Sequence, residues 1–361
     1  MATVARWLGP WADIHARPAR VSRRPLQVPC QTPDKDSFEA WLYAPTDAPI
    51  AGAYAIAPGL HFEGPGDPRM DRFCRILAAS GCLVISPFID DFMHLRVTPR
   101  ALLEYQDAIR ALVAAPEYPR GRAPWLFSIS FGSLLALRAA CAPELAAHIG
   151  GVILFGGYAD WRAVVHFCMT GELTDGRRVH HDPLNQPVVF LTMLDELLRC
   201  ADVDPAHGPA LAAAWLTFTR RTWSSAGQKR HGTPERVAHD LGADLPDEAR
   251  DLFLMGCGAR SGGLALCQQA MERFDGAYME VRGHLHRLRC PVHIAHGVDD
   301  DVIPVEHAHA LADAMPAGHP HALYITGLYS HTALGSPLRL IPALGREVAT
   351  LARLVRVIAS P

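Results

Sequence analysis

Ser130 sits in residues 126–135, LFSISFGSLL, where an apolar run stops at a serine and small residues open a helical pattern. A serine hydroxyl acts as a nucleophile only with a base to take its proton and a group to orient that base. It also needs N–H donors for the oxyanion formed at the attacked carbonyl. A sharp strand–turn–helix bend projects such a serine and demands small residues two positions to either side. Ser128 and Gly132 occupy those positions. The frame is S-x-S-x-G, one residue away from G-x-S-x-G, and alone it fits a catalytic serine or a polar strand end.

The remaining parts of such a site stand further along the chain. Residues 291–304, PVHIAHGVDDDVIP, carry a buried-type strand into His296-Gly297 and three aspartates, with Asp300 in the acid position and Asp299 and Asp301 beside it. The same run fits a solvated acidic loop in which Asp299 or Asp301 caps the next helix. Residues 322–335, ALYITGLYSHTALG, end a strand at Thr326 and present His331 in the following loop. Taken alone, a loop histidine reads as a surface residue. Residues 57–69, APGLHFEGPGDPR, form a glycine-rich turn after an early strand, which fits a plain loop or an aimed backbone N–H at Leu60. A second donor is the N–H of Phe131, directly after the nucleophile. The chain order Ser130, Asp300, His331 on successive strand ends is far more specific than any single part. It puts His331 beside Ser130, with Asp300 on the far ring nitrogen.

These residues need a parallel sheet, because ligands of such sheets bind outside the carboxyl ends of the strands. Short apolar runs stopped by glycine or proline read as strands at 38–43, 51–57, 82–86, 125–128, 151–155, 291–295 and 322–326. Helical patterns at 71–79, 100–113, 132–142, 305–315 and 338–357 alternate with them, which predicts a mainly parallel sheet covered on both faces. Between 161 and 288 the rhythm changes to helices, at 187–198, 206–223, 246–255 and 263–274. The economical division is an α/β core over 1–160 and 289–361, with a helical insertion over 161–288. Trp215, Phe218 and Trp223 in that insertion either line an acyl pocket or build the insertion's own core.

On SISFG around Ser130, HGVDDDVIP around Asp300, His331 and the PGL turn, the chain resembles the α/β-hydrolase superfamily over about 38–158 and 289–358. The resemblance implies an eight-stranded hydrolase sheet, Ser130–Asp300–His331 catalysis, oxyanion donors at Leu60 and Phe131, and a helical lid after the sixth strand. It departs from the common pattern at Ser128, for the first glycine, and at Pro58, for a histidine often found before the oxyanion glycine. Asp160, just past the 151–155 strand, is the alternative acid, since some relatives place it there. The implied activity is hydrolysis of carboxylic esters through an acyl-enzyme. Acyl transfer, thioester or carbon–carbon bond hydrolysis use the same triad, and a non-catalytic ligand-binding protein is a further alternative.

Composition sets bounds around this reading. The 361 residues are 49% hydrophobic and 20% charged with a formal net charge of -3, enough for a large core and without the basic balance of a nucleic-acid binder. Nine scattered cysteines without a C-x-x-C pair predict reduced thiols and a cytoplasmic protein. No signal-peptide core and no membrane span is legible. His284-x-His286 with Cys290, and His307-x-His309, have ligand-like spacing, but residues two apart on a helix face different ways. No metal is expected from them, and no cofactor, since GxGxxG and P-loop patterns are absent. His180-His181 and His61 read as surface or lid histidines, with His61 beside the proposed oxyanion turn and within reach of substrate. The expected partner is a small ester or acyl substrate, and homo-oligomerisation is compatible with the sequence.

Overall fold

The computed structural model describes residues 2–8, 13, 15–32, 35–223, 232–327 and 344–361. Its described strands are β1 Val21–Pro29, β2 Ser37–Pro45, β3 Gly52–Ala57, β4 Cys82–Pro87, β5 Trp125–Ile129, β6 Gly151–Phe155, β7 Val292–Gly297 and β8 His321–Thr326. They form one eight-stranded sheet in the order β1-β2-β4-β3-β5-β6-β7-β8. β2 is antiparallel to both its neighbours, and every pairing from β4 to β8 is parallel. The helices of the sheet-bearing part are α1 Ala2–Leu8, α2 Pro68–Ala79, α3 Asp90–Met93, α4 Pro99–Ala114 and α5 Gly132–Ala140. The chain then runs through α6 Trp161–Thr170, α7 Gln186–Thr192, α8 Leu194–Cys200, α9 Gly208–Trp223, α10 Thr233–Gly242, α11 Asp247–Gly256 and α12 Gly263–Arg273. It returns to the sheet with α13 Glu306–Asp313 and α14 Leu344–Ile358.

The sequence explains why these elements form. β3 and β4 are buried along their whole lengths, which suits apolar strands covered on both faces and not an alternating pattern. Pro58 has no N–H to offer a ladder and stops β3. Asp67 and Thr98 accept backbone N–H bonds at the starts of α2 and α4, each with proline at the first helical position, so both starts are capped. Tyr54, Val84, Phe127, Ile153 and Tyr324 of the strands share one buried cluster with Leu354, Val355 and Ile358 of α14. Tyr54 Oη, in the middle of that cluster, donates to the Ile358 carbonyl at 3.0 Å.

Two compact units result. One contains residues 1–93, 98–160 and 279–361 and holds the sheet; the other contains 94–97 and 161–278. In the helical unit Trp215 and Phe218 are fully buried. Trp215 Nε1 donates to the Phe253 carbonyl at 3.1 Å, and its ring lies 5.6 Å from that of Phe190. Both residues therefore belong to that unit's core. Residues 279–288, expected within the insertion, belong instead to the sheet unit. The reason is polar anchoring that periodicity does not reveal: Tyr158 Oη donates to the Met279 carbonyl, Arg138 to the Glu280 carbonyl, and Arg282 pairs with Asp160. All nine cysteines are free. Among the described residues no helix is long and apolar enough to cross a membrane.

The antiparallel edge is held by one carboxylate. Asp71 of α2 receives Arg23 Nη1 at 2.9 Å and Tyr43 Oη at 3.1 Å on one oxygen, and Arg75 Nε at 2.9 Å and Arg17 Nε at 3.2 Å on the other. Burial alone raises this carboxyl, but hydrogen bonds and charge from Arg75 and then Arg23 outweigh it and hold Asp71 below the usual carboxylate range. A depressed folded-state value stabilises the protein above the unfolded value, about 3.9 for Asp, and this contribution is lost as pH falls through the folded value. Asp71→Asn is therefore expected to lower Tm at pH 7 and to flatten the fall of Tm below about pH 4. Thermal melts of both proteins across pH 2–7, taken as about the range spanning that titration, check this; parallel curves refute it.

Candidate active site

The carboxyl ends of β3, β5, β6, β7 and β8 line one edge of the sheet, since all five run parallel in register. Ser130 follows β5 directly and α5 opens two residues later. Its backbone is left-handed, φ +54°, a conformation that costs a side-chain-bearing residue of order 1–3 kcal/mol and persists only where the surroundings impose it. They do so here on both sides. Ser130 N–H donates to the Phe155 carbonyl of β6 at 2.8 Å, and the Ser130 carbonyl accepts from Ser133 N–H at 3.0 Å. The turn is thus locked between sheet and helix, and Ser130 is 8% exposed.

Small residues make the bend possible. A Cβ on Gly132 would collide with the carbonyl oxygens of Ala57 and Pro58. A Cβ on Gly59 would stand 3.4 Å from Ser130 Cβ and 3.3 Å from the Ile129 carbonyl oxygen. The Pro58-Gly59-Leu60 turn therefore passes directly against the serine. Ser128, which replaces the glycine of the common frame, is fully buried, and its hydroxyl donates to the Ile153 carbonyl at 3.4 Å. The α5 N-terminus, with Phe131 at its cap, carries no side-chain cap, so the positive end of the helix faces the serine turn. Gly132→Ala is expected to cost about 1–3 kcal/mol by overpacking against immovable backbone, read as a drop in Tm. An unchanged Tm would show that the turn has slack.

Of the three aspartates after β7, tertiary packing buries only Asp300, while Asp299 is exposed and Asp301 half-buried. Asp300 Oδ1 accepts from the N–H groups of Val302 at 3.0 Å and Ile303 at 2.9 Å. Its Oδ2 lies 3.3 Å from His296 Nε2. Asp160, after β6, is instead paired with Arg282 at 2.7 Å. Phe131 directly follows Ser130 at the start of α5, and Leu60 follows Gly59 in the turn that passes against the serine. His331 lies outside the described residues, four positions beyond Gly327.

The other histidines divide by environment. His307 is buried and accepts the Ala159 N–H on Nδ1 at 3.2 Å, whereas His309 on the same helix is exposed. Burial, then the nearby His296, lowers the His307 pKa to about 4, so this ring is uncharged at neutral pH. His61 stacks on Phe62, and burial lowers its pKa. Donor atoms of His61, Glu63 and Asp67 fall within 4.8 Å of one another. The Arg69 guanidinium already engages both Asp67 oxygens, at 2.6–3.1 Å, and so supplies the positive charge that a cation would bring.

An eight-stranded sheet in this order, with an antiparallel second strand, a left-handed serine after β5 and an acidic loop after β7, defines the α/β-hydrolase fold. No family model and no curated protein matches the chain. Among solved structures it is similar to the acylaminoacyl peptidase of Pyrococcus horikoshii, at 13% identity over 86% of this chain and TM-score 0.44. This chain spans 38% of that peptidase's length. It is also similar to an esterase of Pyrococcus furiosus, at 11% identity over 93% of this chain and 89% of that one, TM-score 0.49. A 2,6-dihydroxy-pseudo-oxynicotine hydrolase is 15% identical over 92% of this chain and 68% of that one, TM-score 0.46.

Proposed function

We propose that the chain is a serine hydrolase that cleaves carboxylic esters through an acyl-enzyme, with Ser130 as nucleophile, His331 as base and Asp300 as the acid that orients it. The observation that carries this reading is the left-handed Ser130 held between β5 and the uncapped start of α5. Strain of this kind at a polar side chain on the ligand-binding edge points to a function that needs the hydroxyl projected. Asp300 hangs from a strand two places along the sheet, about 10 Å away at 4.8 Å per strand. A carboxylate there does not reach Ser130 directly, and one imidazole bonded on both nitrogens fits the gap. Asp160 is the weaker acid because Arg282 already engages it.

In this scheme His331 removes the Ser130 proton as Oγ attacks the acyl carbon. The N–H groups of Leu60 and Phe131 take the oxyanion, and the positive end of α5 adds to their effect. His331 then returns the proton to the departing alcohol, and water hydrolyses the acyl-enzyme with the roles reversed. The part of a lid, which the resemblance to α/β-hydrolases implies, falls to the helical segment between β6 and β7. A fluorophosphonate probe, with the labelled peptide mapped by mass spectrometry, tests the nucleophile. A p-nitrophenyl ester series set against thioester, β-diketone and acyl-amide substrates tests the bond cleaved. Labelling at Ser130 with ester turnover is the expected result, and a folded sample that neither labels nor turns over esters overturns the reading.

A further inference from the structure

The acid loop contains a second histidine that the scheme above leaves without a task. His296, at the end of β7, is fully buried, and its Nε2 lies 2.8 Å from the Ile303 carbonyl oxygen. A carbonyl only accepts, so Nε2 carries a hydrogen. Nδ1 is buried and has no hydrogen-bond partner among the described residues. An orphaned buried nitrogen costs free energy, and an apolar residue of similar volume would avoid that cost. What the histidine adds is the clamp on its other side. Nε2–H holds Ile303 by its carbonyl, Ile303 N–H holds Asp300 Oδ1 at 2.9 Å, and the same Nε2 stands 3.3 Å from Asp300 Oδ2.

We infer that His296 is a positioning residue for Asp300, fixing the carboxylate through Ile303, whose carbonyl it holds, and by the ring edge that stands against Oδ2. This rests on the reading of Asp300 as the triad acid. The ring closes the loop from Gly297 to Ile303 back onto the strand it leaves, so Oδ1 is held by the fixed N–H groups of Val302 and Ile303 while Oδ2 stands against the ring edge, and the group has one orientation to offer an imidazole. A carboxylate free to rotate would hold that imidazole less well, which slows the chemical step and leaves substrate binding unchanged.

The test compares His296→Leu, which removes the donor, with His296→Gln, whose amide N–H reaches the place of Nε2. Hydrolysis of p-nitrophenyl butyrate and the rate of fluorophosphonate labelling are both measured. His296→Leu is expected to lower kcat by about 10–100-fold, the usual effect of losing an outer orienting partner, with KM little changed and labelling slowed in step. His296→Gln is expected to recover most of that loss. If His296→Leu does not fold, His296→Asn takes its place, since its shorter amide leaves the Nε2 position empty. In an Asp300→Asn background, His296→Leu adds no further loss if it acts through Asp300. Full activity of a folded His296→Leu, or equal losses in the Leu and Gln variants in proportion to Tm, overturns the proposal. Full activity of Asp300→Asn instead overturns the triad reading on which it rests.

Discussion

Ser130→Ala is expected to lower kcat for p-nitrophenyl esters by about 10⁵–10⁶-fold, the scale on which serine-triad enzymes fall when their nucleophile is removed. The loss is so large because in the proposed scheme base, acid and oxyanion donors act only through that one oxygen. What remains is whatever rate the oxyanion donors and binding supply alone. Stability should hardly change, since Ala keeps the Cβ, and the backbone contacts that impose φ +54° come from Phe155 and Ser133, not from the hydroxyl. Steady-state kinetics with a thermal melt as control checks both halves. Near-native ester turnover in a folded Ser130→Ala protein would move the chemistry elsewhere in the molecule.

The second large effect separates the two candidate acids. Asp300→Asn is expected to cost about 10⁴-fold in kcat, because an amide in that place favours the wrong imidazole tautomer and does not stabilise the imidazolium. Asp160→Asn is expected to stay within about threefold, as an exposed pair of this kind contributes little. Asp160 pairs with Arg282 on a partly exposed face, whereas Asp300 is buried and meets two backbone N–H donors. Kinetics of the two variants on one ester substrate decides the point. A collapse in Asp160→Asn beside a healthy Asp300→Asn would reverse the assignment.

Much of the fold was legible from local pattern. The apolar runs ending at Pro58, Pro87 and Gly156 became β3, β4 and β6 nearly as bounded, because strands buried on both faces read as continuous apolar segments. β1 was not legible. Its sequence, VSRRPLQVP, is mostly exposed and contains Pro25, as an edge strand tolerates, so neither alternation nor a proline-free run announced it. The helix expected over 187–198 divides at Met193, whose φ −108°, ψ 25° lies outside the helical region. No proline or glycine stands there to signal the break.

The candidate site divides in the same way. Short-range chemistry placed Ser130 at a strand–helix bend with Gly132 behind it, because small residues around a strand end are a local signal, and the structure has that bend. Which of three adjacent aspartates turns inward was not local. It follows from packing of the loop on β7 and from the N–H groups of Val302 and Ile303. The link between Asp160 and Arg282 joins residues 122 apart in the chain, and no periodicity encodes such a pair.

By itself, then, the sequence determined the alternation of strands and helices, the place of the helical segment between β6 and β7, and the chain order of Ser130, Asp300 and His331. Those depend on hydrophobic period and on the backbone freedom of glycine and proline, which act over a few residues. Only the tertiary structure decided the left-handed setting of Ser130, the burial of Asp300 over its neighbours and the clamp of His296 on Ile303. These depend on burial and on hydrogen bonds between segments, which exist only once the sheet has brought its strand ends together.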